Sequence, residues 1–461
     1  MKATRRLALA GAAAGAAGLL LPGRALAQTG FDGDYGGVLD VGAAKLRLRL
    51  VVAGDTVTLY SLDQGNAAIR ATQVERKGDW LHVDFAPISA RFEGQLAGST
   101  LTGRFIQGQA FPLKLERGVI PADTADIAAL AQGTMSPALL RRIRERLGTP
   151  AMAVGWERPV AYPTLLVDGR RTASLPDPVR PDDRWHIGSI TKSFTATLFA
   201  RAVEGGAIRW DTPLGKRLKQ VPPHYADLTA IELLSHNGGL PANIPLPELL
   251  ALPRFETDPR VSRRRYVALA LAQPPAAAPR TQFLYSNVGY VLVGAMLEAA
   301  TRRSWEDLLQ REVLIPLGLS SAGHGPPGKV DLIDQPRGHG GDQPVWLDNP
   351  SAMGPAGRLH MAARDLLAWL STHRDQPQGF LSSAAWRELH TPRFGGSYAL
   401  GWFVGPDGSL WHNGSNTAWY AEAAIDAGTG LASVVCANDT ALISRQRALL
   451  PAIRRAARVA R

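Results

Sequence analysis

The amino-acid sequence predicts an α+β domain, an antiparallel sheet flanked by helices with a helical insert, preceded by a small all-β antiparallel barrel or sandwich. Three observations carry this. Residues 30–117 hold short runs at strand spacing, separated by tight turns. From residue 136 onward, strand patterns stand at both ends of the chain and helical patterns fill the middle. Between the two, residues 118–135 read as a linker, with Pro121-Ala-Asp-Thr-Ala125 and Gly133-Thr134.

Ahead of the first strand, residues 1–27 have the pattern of a secretory signal. Lys2, Arg5 and Arg6 precede an apolar stretch from Leu7 to Leu21, and Ala25-Leu26-Ala27 is a small-x-small cleavage site. Thr4-Arg5-Arg6-Leu7 comes close to a twin-arginine signal. The expected location is therefore periplasmic or secreted. Removing the leader lowers the formal charge from +11 to +7, and the remaining excess is scattered arginine with short clusters such as Arg263-Arg264-Arg265. That distribution suits a solvated surface and excludes a nucleic-acid stripe. Cys436 is the sole cysteine, so no internal disulfide forms and the fold must stand on its core.

In the β region, Lys45-Leu-Arg-Leu-Arg-Leu50 alternates strictly, as a strand with one wet face does. Further strands are expected at 56–60, 68–75, 80–85, 90–96, 101–107 and 111–116. Turns at Gly54-Asp55, Lys77-Gly78-Asp79 and Ala97-Gly98-Ser99 separate them. This module carries no catalytic constellation and reads as accessory. Ser136-Pro137 then supplies an N-cap followed by proline at the first helical position, opening a helix over 138–147 that Gly148 ends. Strands are expected at 151–156 and 164–167, and an apolar helix from 189 to 204. Residues 207–280 read as mostly helical with many breaks, and the Pro- and Ala-rich part at 245–279 as loop. A helix over 288–300, a Gly/Pro-dense loop at 323–344 and a helix over 363–370 follow. Strands return at 398–404, 410–412, 418–425 and 431–437, and a helix closes the chain at 441–459.

The chemistry gathers at three places. Ser189 and Lys192 lie three residues apart at a helix start, so they share one face, and hydroxyl and amine can work as nucleophile and base. The chain has 8 Lys against 43 Arg, and Ser-x-x-Lys occurs once, which argues against a chance match. The same Ser-x-x-Lys spacing is the signature of penicillin-binding proteins and class A β-lactamases. Tyr285-Ser286-Asn287 stands just before a helix, where a phenol and an amide can be aimed into one cleft. Trp411-His412-Asn413-Gly414-Ser415 follows a strand pattern; Gly414 permits close backbone approach and the Ser415 N–H can complete an oxyanion hole.

In this order the three motifs resemble those of the penicillin-recognising serine hydrolases, and among them the class C β-lactamase-like esterases and peptidases. Leu233-Leu-Ser-His-Asn-Gly-Gly-Leu-Pro241, Phe283-Leu-Tyr-Ser-Asn-Val-Gly-Tyr290 and Gly354-Pro-Ala-Gly-Arg-Leu359 resemble that group too. The resemblance covers residues 136–461 and leaves 30–117 unexplained. It implies a β-lactamase/penicillin-binding-protein-like domain with Ser189 as acylated nucleophile, Lys192 sharing its proton and Tyr285 as general base, although the sequence leaves open which of Lys192 and Tyr285 is the working base. It also implies substrate contacts from Asn287, His412, Gly414 and Ser415, and an oxyanion hole from the Ser189 and Ser415 amides. No metal or cofactor is implied. One departure matters: members that hydrolyse β-lactams well carry Lys-Thr-Gly as third motif, and here it is His412-Asn413-Gly414.

The expected function is an exported serine hydrolase acting through an acyl-enzyme on a small ester, amide or peptide. The alternatives are a class C-type β-lactamase or DD-peptidase, and a non-catalytic cell-envelope binding protein. An α/β-hydrolase would need a Gly-x-Ser-x-Gly elbow and a metallohydrolase clustered ligands, and neither occurs in the sequence.

Overall fold

The computed structural model describes residues 30–459, apart from 41–44, 63–67, 89, 108, 120, 122–126 and 417. The leader expected at 1–27 lies outside the described residues.

Among the described residues, nine strands form the first sheet: β1 (Gly33–Asp40), β2 (Lys45–Ala53), β3 (Thr56–Ser61), β4 (Ala68–Arg70), β5 (Gln73–Lys77), β6 (Trp80–Phe85), β7 (Ala90–Ala97), β8 (Thr100–Gln107) and β9 (Gln109–Arg117). They pair antiparallel in the order β4-β3-β2-β1-β9-β8-β7-β6-β5. The two edge strands follow each other in the chain, so the sheet curls round on itself. The single strand expected at 68–75 breaks at Ala71-Thr72 because that dipeptide spans the gap. The Ala71 N–H donates to Val57 O and the Thr72 N–H to Asp84 O, one bond to each side. Inside the curl Tyr35, Leu48, Leu50, Val57, Leu81, Phe92, Phe105 and Leu115 pack as one apolar cluster. Strand β1 has no apolar run to betray it; its Gly-Asp-Tyr-Gly-Gly is held by β2 and by Tyr35, whose hydroxyl donates to Phe31 O at 2.8 Å.

The second unit holds β10 (Ala151–Glu157), β11 (Thr164–Gly169), β12 (Arg184–His186), β13 (Gly323–His324), β14 (Gly338–Gly340), β15 (Gln343–Val345), β16 (Leu359–Ala362), β17 (Phe403–Val404), β18 (Leu410–Ser415), β19 (Tyr420–Ile425) and β20 (Ala432–Ala437). Six of these make an antiparallel sheet in the order β11-β10-β20-β19-β18-β17, so the strands from both ends of the domain meet in its centre. Helices cover both faces. Met152, Val154 and Trp156 of β10 point into a core with the helices Pro137–Leu147 and Leu450–Val459, while Ala151 and Ala153 point into the larger core on the other face. Ile127, Ala131 and Met135, within the stretch read as linker, are buried in the smaller core.

Local signals explain most departures from the sequence expectations. The 245–279 stretch contains two helices, Leu246–Ala251 and Pro259–Leu271. Asp258 caps the second by accepting from the Arg260 N–H, with Pro259 at the first helical position, so the proline that suggested loop starts the helix. The loop at 323–344 contains β13, β14 and part of β15. The strand at 398–404 shortens to β17. The closing helix begins only at Leu450, because Pro451 is tolerated in a first turn and not inside a helix.

Candidate active site

Gly188, Ser189 and Ile190 form one tight 3₁₀ turn that runs directly into the helix Thr191–Glu204. Gly188 has φ +51°, a left-handed conformation that a side chain would strain. This turn presents Ser189 at the surface of the cleft and places Lys192 one turn into the protein, where it is fully buried. Lys192 Nζ lies 3.0 Å from Ser189 Oγ, 2.7 Å from Asn287 Oδ1 and 2.7 Å from the Ala356 carbonyl oxygen. Burial lowers its pKa well below the ordinary lysine value.

Tyr285 reaches the same point from the loop before the helix Asn287–Thr301. Its hydroxyl is hydrogen-bonded to Ser189, and burial pushes its pKa above the ordinary phenol value. Lys192 Nζ sits 4.8 Å from the centre of the Tyr285 ring. The Tyr285–Asn287 segment is gripped by the turn that contains His236. The Ser286 N–H donates to His236 Nδ1 at 3.0 Å, Ser286 Oγ to Pro241 O at 2.6 Å, and the Asn287 N–H to Ala242 O at 2.8 Å. Asn287 Nδ2 donates to Asn243 Oδ1 at 3.0 Å, which turns the amide oxygen toward Lys192. His236 packs against Tyr285 with the rings tilted by 35° and their centres 4.3 Å apart, and itself sits at φ +61°.

The third motif lies on β18. A Cβ added to Gly188 would stand 2.5 Å from Ser415 N, and one added to Gly414 would stand 2.6 Å from Ser189 N and collide with Ile187 O. The backbones carrying the two amides thus touch without intervening side chains, the arrangement a two-donor oxyanion hole needs. His412 departs from the substrate-contacting role expected from sequence. Its ring is 1 % exposed, its Nε2 pairs with the Tyr398 hydroxyl at 2.9 Å, and its Nδ1 pairs with Asn413 O at 2.6 Å. A carbonyl partner requires the proton on Nδ1, so Nε2 accepts from Tyr398. Both ring nitrogens are taken. Burial and nearby Lys192 push its pKa down to about 3.

The structure therefore joins Lys192 to Ser189, Asn287 and Tyr285 and Tyr285 to Ser189, sets the Ser189 and Ser415 amides side by side across Gly414, and buries His412 against Tyr398. Sequence reasoning missed His236, Asn243, Tyr398 and the Ala356 carbonyl. His236 and Ala356 lie in stretches already singled out for resemblance; Tyr398 and Asn243 stand alone in loops and carry no local signal. The arrangement is able to take a proton from a serine hydroxyl and to hold negative charge on an attacked carbonyl oxygen.

Residues 139–458, well over half of the chain, match the family model described as Beta-lactamase. The chain is 25% identical over 340 residues to an unguisins hydrolase of Aspergillus campestris, covering 66% of this chain and 61% of that protein. It is 27% identical over 217 residues to penicillin-binding protein 4 of Amycolatopsis lactamdurans, covering 43% and 52%. It thus spans less than two thirds of the length of either relative. The fold is shared with a D-amino acid amidase from Ochrobactrum anthropi SV3 (TM-score 0.58, 22% identity, 73% of this chain and 100% of that one). It is also shared with a class C β-lactamase from Rhodobacter sphaeroides (TM-score 0.54, 20% identity, 71% and 99%). On the family match over this fold, the chain belongs to the Beta-lactamase family.

Proposed function

We propose that the protein is an exported serine hydrolase that works through an acyl-enzyme on small esters or amides. The observation that carries this is the state of Lys192. A neutral amine has two N–H donors and one lone pair. Asn287 Oδ1 and Ala356 O, both at 2.7 Å, take the two donors, which leaves the lone pair to accept from Ser189 Oγ at 3.0 Å. Burial supplies the neutral form. Ser189 Oγ then bonds to the substrate carbonyl carbon as its proton moves to Lys192 Nζ, and the carbonyl oxygen takes negative charge beside the Ser189 and Ser415 amides.

Tyr285 has a different part from the general base that the resemblance implied. Burial favours its phenol form over the phenolate. It gives its proton to the departing alcohol or amine and regains one from the Lys192 ammonium, which its ring face also stabilises. The same groups, run in reverse, activate the water that releases the acyl group.

The substrate class follows from His412. At neutral pH a histidine with its pKa near 3 carries no charge. The third motif therefore offers no cation to the carboxylate that β-lactams and cell-wall peptides present, and neutral esters or amides suit the site better. The leader pattern at 1–27 supports export.

Intact-mass spectrometry of the protein mixed with a slow p-nitrophenyl ester tests the reading. The wild type should gain one acyl mass. Ser189→Ala should gain none and lose about 10⁴-fold or more in kcat. An adduct that persists in Ser189→Ala moves the nucleophile elsewhere.

A further inference from the structure

The two amides of the oxyanion hole come from distant parts of the chain, a turn at Ser189 and strand β18 at Ser415. Beneath both lies the Asp348 carboxylate, fully buried. Three donors hydrogen-bond it, and the His186 ring stands against it. His186 Nε2 stands 3.1 Å from Oδ1, Asn416 Nδ2 donates to Oδ1 at 2.9 Å, the Asn349 N–H donates to Oδ1 at 2.7 Å, and Arg358 Nε donates to Oδ2 at 3.2 Å.

Each of the four leads to one part of the site. His186 Nδ1 accepts the Gly188 N–H at 3.1 Å, which leaves the imidazole proton on Nε2, facing Asp348. Gly188 is the residue before Ser189. Asn416 is the residue after Ser415. Asn349 Nδ2 donates to Gly357 O at 2.9 Å, next to the Ala356 carbonyl that holds Lys192. Arg358 continues that segment and is anchored at its far end on Arg254 O at 2.8 Å.

We propose that Asp348 is a positioning residue that holds both halves of the oxyanion hole, and the carbonyl that orients Lys192, in one frame. The proposal rests on the reading of Ser189 as nucleophile. The physical need is plain. Oxyanion donors act by being fixed before charge develops, and a donor that must reorganise contributes less. Contact between Gly188 and Gly414 sets how far apart the donors are. It does not set their direction, because each lies on an otherwise separate loop or strand. A carboxylate suits this place because its two oxygens accept from several donors at once and it offers none. A side-chain amide has one acceptor oxygen and would turn an NH₂ toward Arg358 or His186.

The test uses the full chain with Asp348→Asn and Asn416→Ala, beside the wild type. Three quantities are read: the fraction of protein labelled by a fluorophosphonate, kcat and KM on a p-nitrophenyl ester, and Ki for an alkylboronic acid that forms a tetrahedral adduct. A wild type that takes no label sinks the serine hydrolase reading itself, whatever Asp348 does. With a labelled wild type, Asp348→Asn should lower kcat by about 10- to 100-fold per labelled site, short of the 10²–10³ for losing a donor outright. KM should stay within about threefold, and the boronate Ki should rise by the same factor as kcat/KM falls. Wild-type kcat and boronate affinity in a folded Asp348→Asn overturn the proposal. So does a loss that tracks only the fraction labelled, since that is misfolding. If Asp348→Asn does not fold, Asn416→Ala decides: it keeps the Arg358 pair and should show the same kcat-only loss, about 10-fold, and wild-type kinetics there overturn the proposal.

Discussion

Replacing Lys192 by methionine ties the chemistry of the site to the stability of the fold. Nζ is fully buried, and burial holds its folded pKa well below the unfolded value of about 10.4. Between those two values the unfolded chain carries a proton that the folded one lacks. Stability therefore rises with pH across that window, at up to about 1.4 kcal/mol per unit, and is lost as pH falls through it. Methionine cannot titrate. Moving from pH 8 to 9 should stabilise the wild type more than Lys192→Met, by at most about 1.4 kcal/mol. Other groups do not disturb the comparison. Tyr285, held above the ordinary phenol value, differs from the unfolded chain only near and above pH 10. The Cys436 thiol, pushed up to about 12 by burial, acts in the opposite direction and equally in both proteins. Urea unfolding of both at the two pH values measures the difference, and kcat/KM of the same preparations should fall about 10²- to 10⁴-fold in the mutant. Parallel pH dependence in the two proteins would mean that Lys192 keeps its proton in the folded state. It could not then accept one from Ser189, and the base assigned above would be wrong.

Two further outcomes follow from the same buried groups. His236, His360, His373 and His412 are each 5 % exposed or less, and burial lowers the pKa of all four, to about 3 for His360 and His412. Their folded values lie below the unfolded 6.5, so stability is present above pH 6.5 and lost as pH falls toward 3. Between pH 7 and 5 the loss is about 2 kcal/mol for each of His360 and His412. Urea midpoints that do not move between those pH values refute the burial argument. On substrates, a charge-assisted hydrogen bond is worth roughly 1.5–3 kcal/mol, or about 10- to 150-fold. With a neutral His412, kcat/KM on short p-nitrophenyl esters should exceed that on nitrocefin by about 10-fold or more, and faster nitrocefin turnover overturns the substrate class.

Most of the second unit was legible because its signals are local. Ser136 and Pro137 announce a helix, Ser189 and Lys192 share a face at spacing three, and alternating Leu and Arg mark β2. What escaped depends on partners far along the chain. Strand β1 is glycine-rich and exists through its pairing with β2 and β9. Asp258 and Pro259 did offer a helix start, and the surrounding Pro and Ala content obscured it. His412 shows the deepest limit. Its residue type suggested a group reaching into the cleft, yet Tyr398, fourteen residues earlier, and the Asn413 carbonyl occupy both nitrogens. Alternation puts His412 on the buried face with Leu410, but it does not show what pairs with its nitrogens.

The meeting of Gly188 with Gly414 bears on how this protein could be re-engineered. Main chain rests on main chain there, and no other residue fits at either position: one has φ +51°, and a Cβ on the other would collide with Ile187 O. Mutational libraries should leave both fixed. The side chains around them are not so bound. Phe283 is 41 % exposed, two residues from Tyr285, and Asn413 is half-buried between His412 and Gly414. Substitutions at these two positions leave the hydrogen-bond donors, carried by the backbone, where they are. Side-chain shape and backbone donors are in this sense separately adjustable.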